Sequence, residues 1–241
     1  NISIMISLDG IGEYHDTHRP YVNGKSSFAD VSRGISLVTK AKIPLDISIT
    51  VSDKNIEGLP DLLTWVLENN LHFSLNFYRE NDLVLDLNKI GFSEDKIIKG
   101  MLAAYTIIKQ ILPRNNLLAS LVDRANLESP HLRTCGVGQN YLVFDYQGNV
   151  SKCQMLIGHP TTTSNSDDAL AEIRNDKKGI LNLPVSQKEG CNSCEWQYWC
   201  AGGCSLLTHR MTSRYDVKSP NCNIYKTLYP EAVKLEGFRL L

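Results

Sequence analysis

All seven cysteines of this 241-residue chain fall between Cys135 and Cys222, and the first 134 residues contain none. So sharp a shift of composition marks a boundary and confines thiol chemistry to the second half. The start, Asn1-Ile2-Ser3, lacks the basic region of a secretory leader. An odd cysteine count in that setting argues against a disulfide framework, because one thiol is left over and the cytosol keeps thiols reduced. The expectation is a cytoplasmic protein whose cysteines hold metal. Cys135 is followed by twelve residues, Gly148, four residues and Cys153; then come Cys191-x2-Cys194-x5-Cys200-x3-Cys204 and, seventeen residues later, Cys222. Two thiolates two residues apart grip metal from a tight turn, and flanking cysteines complete a four-sulfur shell. Seven ligands exceed one site.

Spacing leaves zinc and iron–sulfur both open, since structural zinc tolerates much the same pattern. A second zinc site would hold only three cysteines, awkward for a closed structural site. A four-iron cluster accepts three protein ligands and offers its fourth iron to another group. Trp196, Tyr198 and Trp199 lie within the same ligand run, where rings either shield sulfurs from water or simply pack. The weight falls on iron.

The charge balance, 25 Lys+Arg against 26 Asp+Glu, gives no electrostatic reason to expect nucleic acid. Nor is a membrane span expected: the most apolar helical stretch, Met101 to Leu112, is broken by Lys109 and falls short of about 18 residues. Ile2 to Leu8 reads as a buried strand ending at Asp9-Gly10. Ser27 then caps a helix with Phe28, Val31, Ile35 and Val38 at helical spacing. Strand Asp46 to Val51, helix Pro60 to Leu67 and strand His72 to Tyr78 follow. Ser93-Glu94-Asp95 opens a longer helix through Ile97, Met101, Tyr105, Ile108 and Leu112, stopped by Pro113. This alternation predicts parallel βαβ units, and three strands neither close a barrel nor cover both sheet edges, so further strands are expected before Asn1. Beyond Ser129 the pattern changes. Tyr141 to Asp145 and Val150 to Gln154 read as a hairpin around Tyr146-Gln147-Gly148-Asn149, with Gly148 supplying a positive φ that returns Cys153 towards Cys135. Thr161 to Asp168 reads as a polar loop.

These residues resemble the radical S-adenosylmethionine (SAM) enzymes with a SPASM domain. Cys135, Gly148, Cys153, Cys191, Cys194, Cys200, Cys204 and Cys222 match every fixed spacing of the SPASM signature. Ser7-Leu8-Asp9-Gly10, His15-Asp16-Thr17-His18-Arg19-Pro20 and Gly24-Lys25-Ser26-Ser27-Phe28 are similar to the fourth strand and following loop of the radical SAM barrel. The resemblance implies an α/β fold: the C-terminal half of a (β/α)6 partial TIM barrel in residues 1–128, then a small cysteine-rich α+β SPASM domain with a β-hairpin in residues 129–241. It implies two auxiliary [4Fe-4S] clusters, the outer held by Cys191, Cys194, Cys200 and Cys222 and the inner by Cys135, Cys153 and Cys204 with one iron open. Ser7, Asp9, Ser52 and Asn55 are the implied SAM contacts. The family's SAM-cleaving Cys-x3-Cys-x2-Cys motif is absent from this chain, so SAM cleavage and a third cluster are expected in the full-length protein.

The implied enzyme is an oxidoreductase that draws electrons from a reductant such as flavodoxin or ferredoxin. It abstracts a hydrogen atom, through a 5′-deoxyadenosyl radical, from a peptide or protein substrate. Sulfatase-maturing members carry an Asp base directly after the second signature cysteine. Gln154 stands there, which favours ribosomal-peptide crosslinking. A sulfatase-maturing enzyme, a non-catalytic electron-transfer or peptide-binding module, and structural zinc are the alternatives. Arg19 and Arg79 read as solvated charges, and His15 and His18 as loop or capping residues.

Overall fold

The computed structural model describes residues 2–80 and 90–241. It divides into two compact units: residues up to Tyr78 with Ile90–Glu128 and Asn223–Leu241, and Ser129–Cys222 with Arg79 and Glu80.

The first unit runs β1 (Ile4–Ser7), α1 (Glu13–Asp16), α2 (Phe28–Lys40), β2 (Leu45–Val51), α3 (Leu59–Glu68), β3 (His72–Phe77) and α4 (Glu94–Gln110). The strands form a parallel sheet in the order β1-β2-β3. Strict alternation along β2 puts Leu45, Ile47, Ile49 and Val51 on one buried face, and α3 contributes buried Leu62, Leu63 and Val66 to the same unit. Burying each such side chain stabilises the fold by about 1.5–3 kcal/mol. The expected buried first strand is corrected: β1 is a sheet edge among the described residues, and Ile2 and Met5 are 77% and 66% exposed. A strand paired on one side leaves part of its surface to solvent.

Two expected details change for reasons of distance along the chain. Ser27 does not cap α2 with its side chain; its hydroxyl donates to the Arg19 carbonyl (2.5 Å). The Asp16 carboxylate instead accepts the N–H groups of Ser27 and Phe28 at 2.8 and 3.0 Å, which also suits the positive end of the helix dipole. Ser93 stands at the start of α4 as expected, and its hydroxyl donates to Asp53 (2.5 Å). α4 buries Ile97, Met101, Ala104, Tyr105 and Ile108, whereas Leu112 lies beyond its end and is exposed.

In the second unit β4 (Val143–Phe144), β5 (Asn149–Ser151) and β6 (Thr162–Thr163) form an antiparallel sheet in that order, followed by α5 (Ala169–Asn175), α6 (Gln197–Cys200) and α7 (Ser205–Thr212). The hairpin is present, and Gly148 takes φ +81°. β6 corrects the expected loop at Thr161 to Asp168: two polar residues carry no periodicity, and only their backbone pairing with β5 makes them a strand. The apolar clusters are small, Val137 with Ile180 and Leu206, and Val185 with Cys191 and Ala201.

The last helix, α8 (Cys222–Leu240), corrects the expected 129–241 boundary, because Asn223–Leu241 belongs to the first unit. The Tyr225 ring stacks on Phe77 with centroids 6.0 Å apart. Glu236 accepts the Leu117 N–H at 3.1 Å and pairs with Arg239 at 2.5 Å. No helix among the described residues is long and apolar enough to cross a membrane.

Candidate functional site

The cysteines have two kinds of surroundings. Around buried Cys191 the ionisable neighbours are Cys200, Lys188, Cys222 and Cys194. Burial pushes the Cys191 thiol up to about 11; the nearby sulfurs add to this and the Lys188 ammonium opposes it. A thiol so placed is a poor thiolate until a cation joins it, and coordination to metal removes its proton outright. Cys135, Cys153 and Cys204 instead pack together against the Val137, Ile180 and Leu206 cluster, beside Met155, Leu156 and Tyr215. Among the described residues no three His, Cys, Asp or Glu side chains are drawn tightly enough for one ion.

Local backbone explains how the two sets come to lie in one region. After Cys200 ends α6, Ala201, Gly202 and Gly203 all take positive φ (+46°, +79°, +70°), a run of left-handed residues that swings the chain sharply before Cys204 starts α7. The Thr134 hydroxyl donates to the Gly203 carbonyl at 2.7 Å, tying Cys135's neighbour to this turn. The Gly202 N–H donates to Cys200 Sγ at 3.4 Å, and Asn182 Nδ2 lies 2.6 Å from the Cys135 carbonyl and 3.9 Å from its Sγ. N–H groups aimed at sulfur stabilise thiolate and tune a cluster. Of the three rings expected to shield sulfur, none is buried, and Tyr198 is 43% exposed. Gln154 accepts the Tyr141 hydroxyl at 2.6 Å.

In the first unit a second polar cluster gathers where β1 and β2 end. Ser7 is half-buried in register with Ser48. Asp9, Ser52 and Asn55 are buried. The Asp9 carboxylate accepts Arg19 Nε at 2.6 Å and the Thr50 N–H at 2.7 Å, with His18 Nδ1 at 3.4 Å. Burial raises the pKa of that carboxyl, but His18, Arg19 and Thr50 together outweigh burial and hold it below the usual carboxylate range. Asn55 donates to the Asp9 and Thr50 carbonyls (2.6 and 2.7 Å) and accepts the Ser52 N–H (2.8 Å). The Ser52 hydroxyl is 2.7 Å from His18 Nε2.

Sequence reasoning missed Lys188, Asn182 and Thr134 in the second unit, none of which stands in a motif. It also undervalued His15 and Arg19. His15 is fully buried and accepts the Asp9 N–H at 3.2 Å on Nδ1, which leaves the proton of its neutral ring on Nε2. Burial lowers its pKa more than Asp9 and Asp16 raise it. Arg19, 41% exposed, is an ion-pair partner and not a free surface charge.

The architecture as a whole is shared with solved proteins. Anaerobic sulfatase-maturating enzyme, solved with AdoMet and a Cp18Cys peptide, superposes with a TM-score of 0.70 at 17% identity over 97% of this chain and 69% of that one. The same enzyme with AdoMet alone gives 0.71 at 17% identity over 97% and 68%. The chain shares the fold of this enzyme. Two curated relatives match shorter segments. The serine-type anaerobic sulfatase-maturating enzyme of Bacteroides thetaiotaomicron is 33% identical over 73 residues, which span 30% of this chain and 18% of that protein. An uncharacterized protein of Methanocaldococcus jannaschii is 34% identical over 67 residues, 28% of this chain and 23% of that protein. No protein-family profile matches. The chain thus covers the maturase fold only in part, and the matched segments are about a fifth of the curated relatives.

Proposed function

We propose that this chain is part of a radical SAM/SPASM maturase, residues 1–128 with α8 forming the later half of its partial barrel and residues 129–222 its cysteine-rich domain. Cys191, Cys194, Cys200 and Cys222 hold an outer [4Fe-4S] cluster, and Cys135, Cys153 and Cys204 an inner one with an iron open to substrate. What supports this reading is that Cys200, Cys222 and Cys194 act electrostatically on buried Cys191, while Cys135, Cys153 and Cys204 pack against one apolar cluster. With SAM bound beside Ser7 and a further cluster held by residues other than these, the assembly would supply one-electron chemistry that removes a hydrogen atom from a peptide.

This chain's residues bind and orient for that chemistry. Ser7 ends a strand where SAM would lie, and Asp9, Ser52 and Asn55 lock the adjoining loops so that Arg19 is held beside them. Gln154 carries no base, which supports peptide crosslinking; the sulfatase-maturating neighbours support formylglycine formation. Anaerobically purified full-length protein is expected to carry about eight irons, with matching sulfide, in the two auxiliary clusters, and broad visible absorption. Zinc in place of iron overturns the proposal. Incubation with SAM, reductant and a sulfatase-derived peptide separates the two reactions, because formylglycine formation excludes the crosslinking branch.

A further inference from the structure

Two lysines are buried in the cysteine-rich unit, and their surroundings differ. Lys152 Nζ is fully matched: it lies 3.0 Å from the Asp176 carboxylate and donates to the Asp176 and Lys178 carbonyls at 2.9 and 2.8 Å. Lys188, 2% exposed, donates to one carbonyl, that of Ala201, at 2.8 Å, and no described carboxylate lies within 4.0 Å of it. Leaving an ammonium so poorly matched in a dry site is costly unless negative charge arrives from elsewhere. Lys188 shares the Ala201 carbonyl with the Thr134 hydroxyl, which donates to it at 3.1 Å, so the ammonium sits where the chain neighbours of Cys200 and Cys135 meet, and Cys191, Cys200, Cys135 and Cys204 all act on it electrostatically. The side chain is also held in place from behind: a Cβ on Gly202 would lie 2.5 Å from Lys188 Cδ and 3.0 Å from Nζ.

Resting on the two-cluster reading above, we propose that Lys188 is a positioning residue whose buried ammonium, lodged between the two cysteine sets, sets the reduction potentials of both auxiliary clusters together. Each cluster gains one electron from the external reductant, no bond breaks, and the ammonium answers the added negative charge without proton uptake. Coulomb attraction across a site of low effective dielectric persists over several ångströms, so one cation favours the reduced form of both.

The test is EPR-monitored redox titration of the anaerobic full-length protein, wild type against Lys188→Met and Lys188→Arg, with iron and sulfide content measured for each. In Lys188→Met both auxiliary clusters are expected to need a lower potential, the reduced-to-oxidised ratio at a fixed poise falling on the order of tenfold, about 59 mV for one electron. Lys188→Arg is expected to keep values near wild type. Unchanged potentials in an iron-replete Lys188→Met protein, or a shift in one cluster alone, overturn the proposal while leaving the two-cluster reading intact. A wild-type protein without iron overturns both. If Lys188→Met and Lys188→Gln lose iron while Lys188→Arg keeps it, the charge is what the clusters need and the proposal stands. Loss from all three makes the residue's role one of shape, and the proposal falls.

Discussion

Asp9 shows how much one side chain decides in the first unit. Its carboxylate is buried, charged and matched by Arg19, His18 and the Thr50 amide. Asp9→Asn keeps the size but removes the charge and leaves Arg19 without its counter-ion. Because Arg19 is partly solvated, the expected loss is about 2 kcal/mol, below the 3–5 of a fully buried pair, read from the urea midpoint. The pH dependence has a definite sign. With the folded pKa below the ordinary aspartate value of 3.8, this ion pair stabilises the fold fully above that value. Its contribution disappears as pH falls from 3.8 through the lower folded pKa, and acid unfolding of Asp9→Asn should therefore be shallower there than that of wild type. Asp9 and Asn55 stood out in the sequence because the family resemblance picks out positions at the ends of these strands. His15 and Arg19 did not, because their partners are supplied by elements that meet only on folding.

At the scale of elements, legibility followed length and periodicity. α4 and β2 each carry enough turns or alternations for the pattern to fix a buried face, and the structure uses those faces. β6, two residues long, carries no pattern and exists because β5 offers it hydrogen bonds. Caps were the weak point: the groups holding α2 and α4 in place, Asp16 and Asp53, are remote in sequence. The hairpin turn was legible because only a residue at ease with positive φ closes it. Gly148 has φ +81°, and a Cβ there would lie 2.6 Å from Ser164 Oγ. Gly148→Ala should therefore cost about 1–2 kcal/mol, seen as faster amide exchange at Val150 and Thr163. Helix α8 tests packing: Tyr225→Ala removes the ring stacked on Phe77 and is expected to cost about 3–5 kcal/mol, measured by thermal unfolding of the whole chain.

For the molecule as a whole, the two units differ in what holds them. The first has an α/β core spread over its sheet and helices; among the described residues the second has short elements and small clusters of three buried residues each. Small cores of this kind depend on cross-links, and bound metal contributes its binding energy to folding. Iron chelation is thus expected to abolish hydrogen-exchange protection in residues 129–222 while β2, β3 and α3 keep theirs; uniform protection throughout would show a unit that stands without metal. The cysteine run was legible in the sequence, but not the buried lysine beside it, since nothing in a lone Lys three positions before a Cys announces burial. The chain also leaves its first unit after Glu128 and comes back to it at Asn223. A gene cut short at residue 128 would consequently strip Phe77 and Leu117 of their cover, so that dissecting this protein calls for deleting an internal stretch and rejoining the flanks.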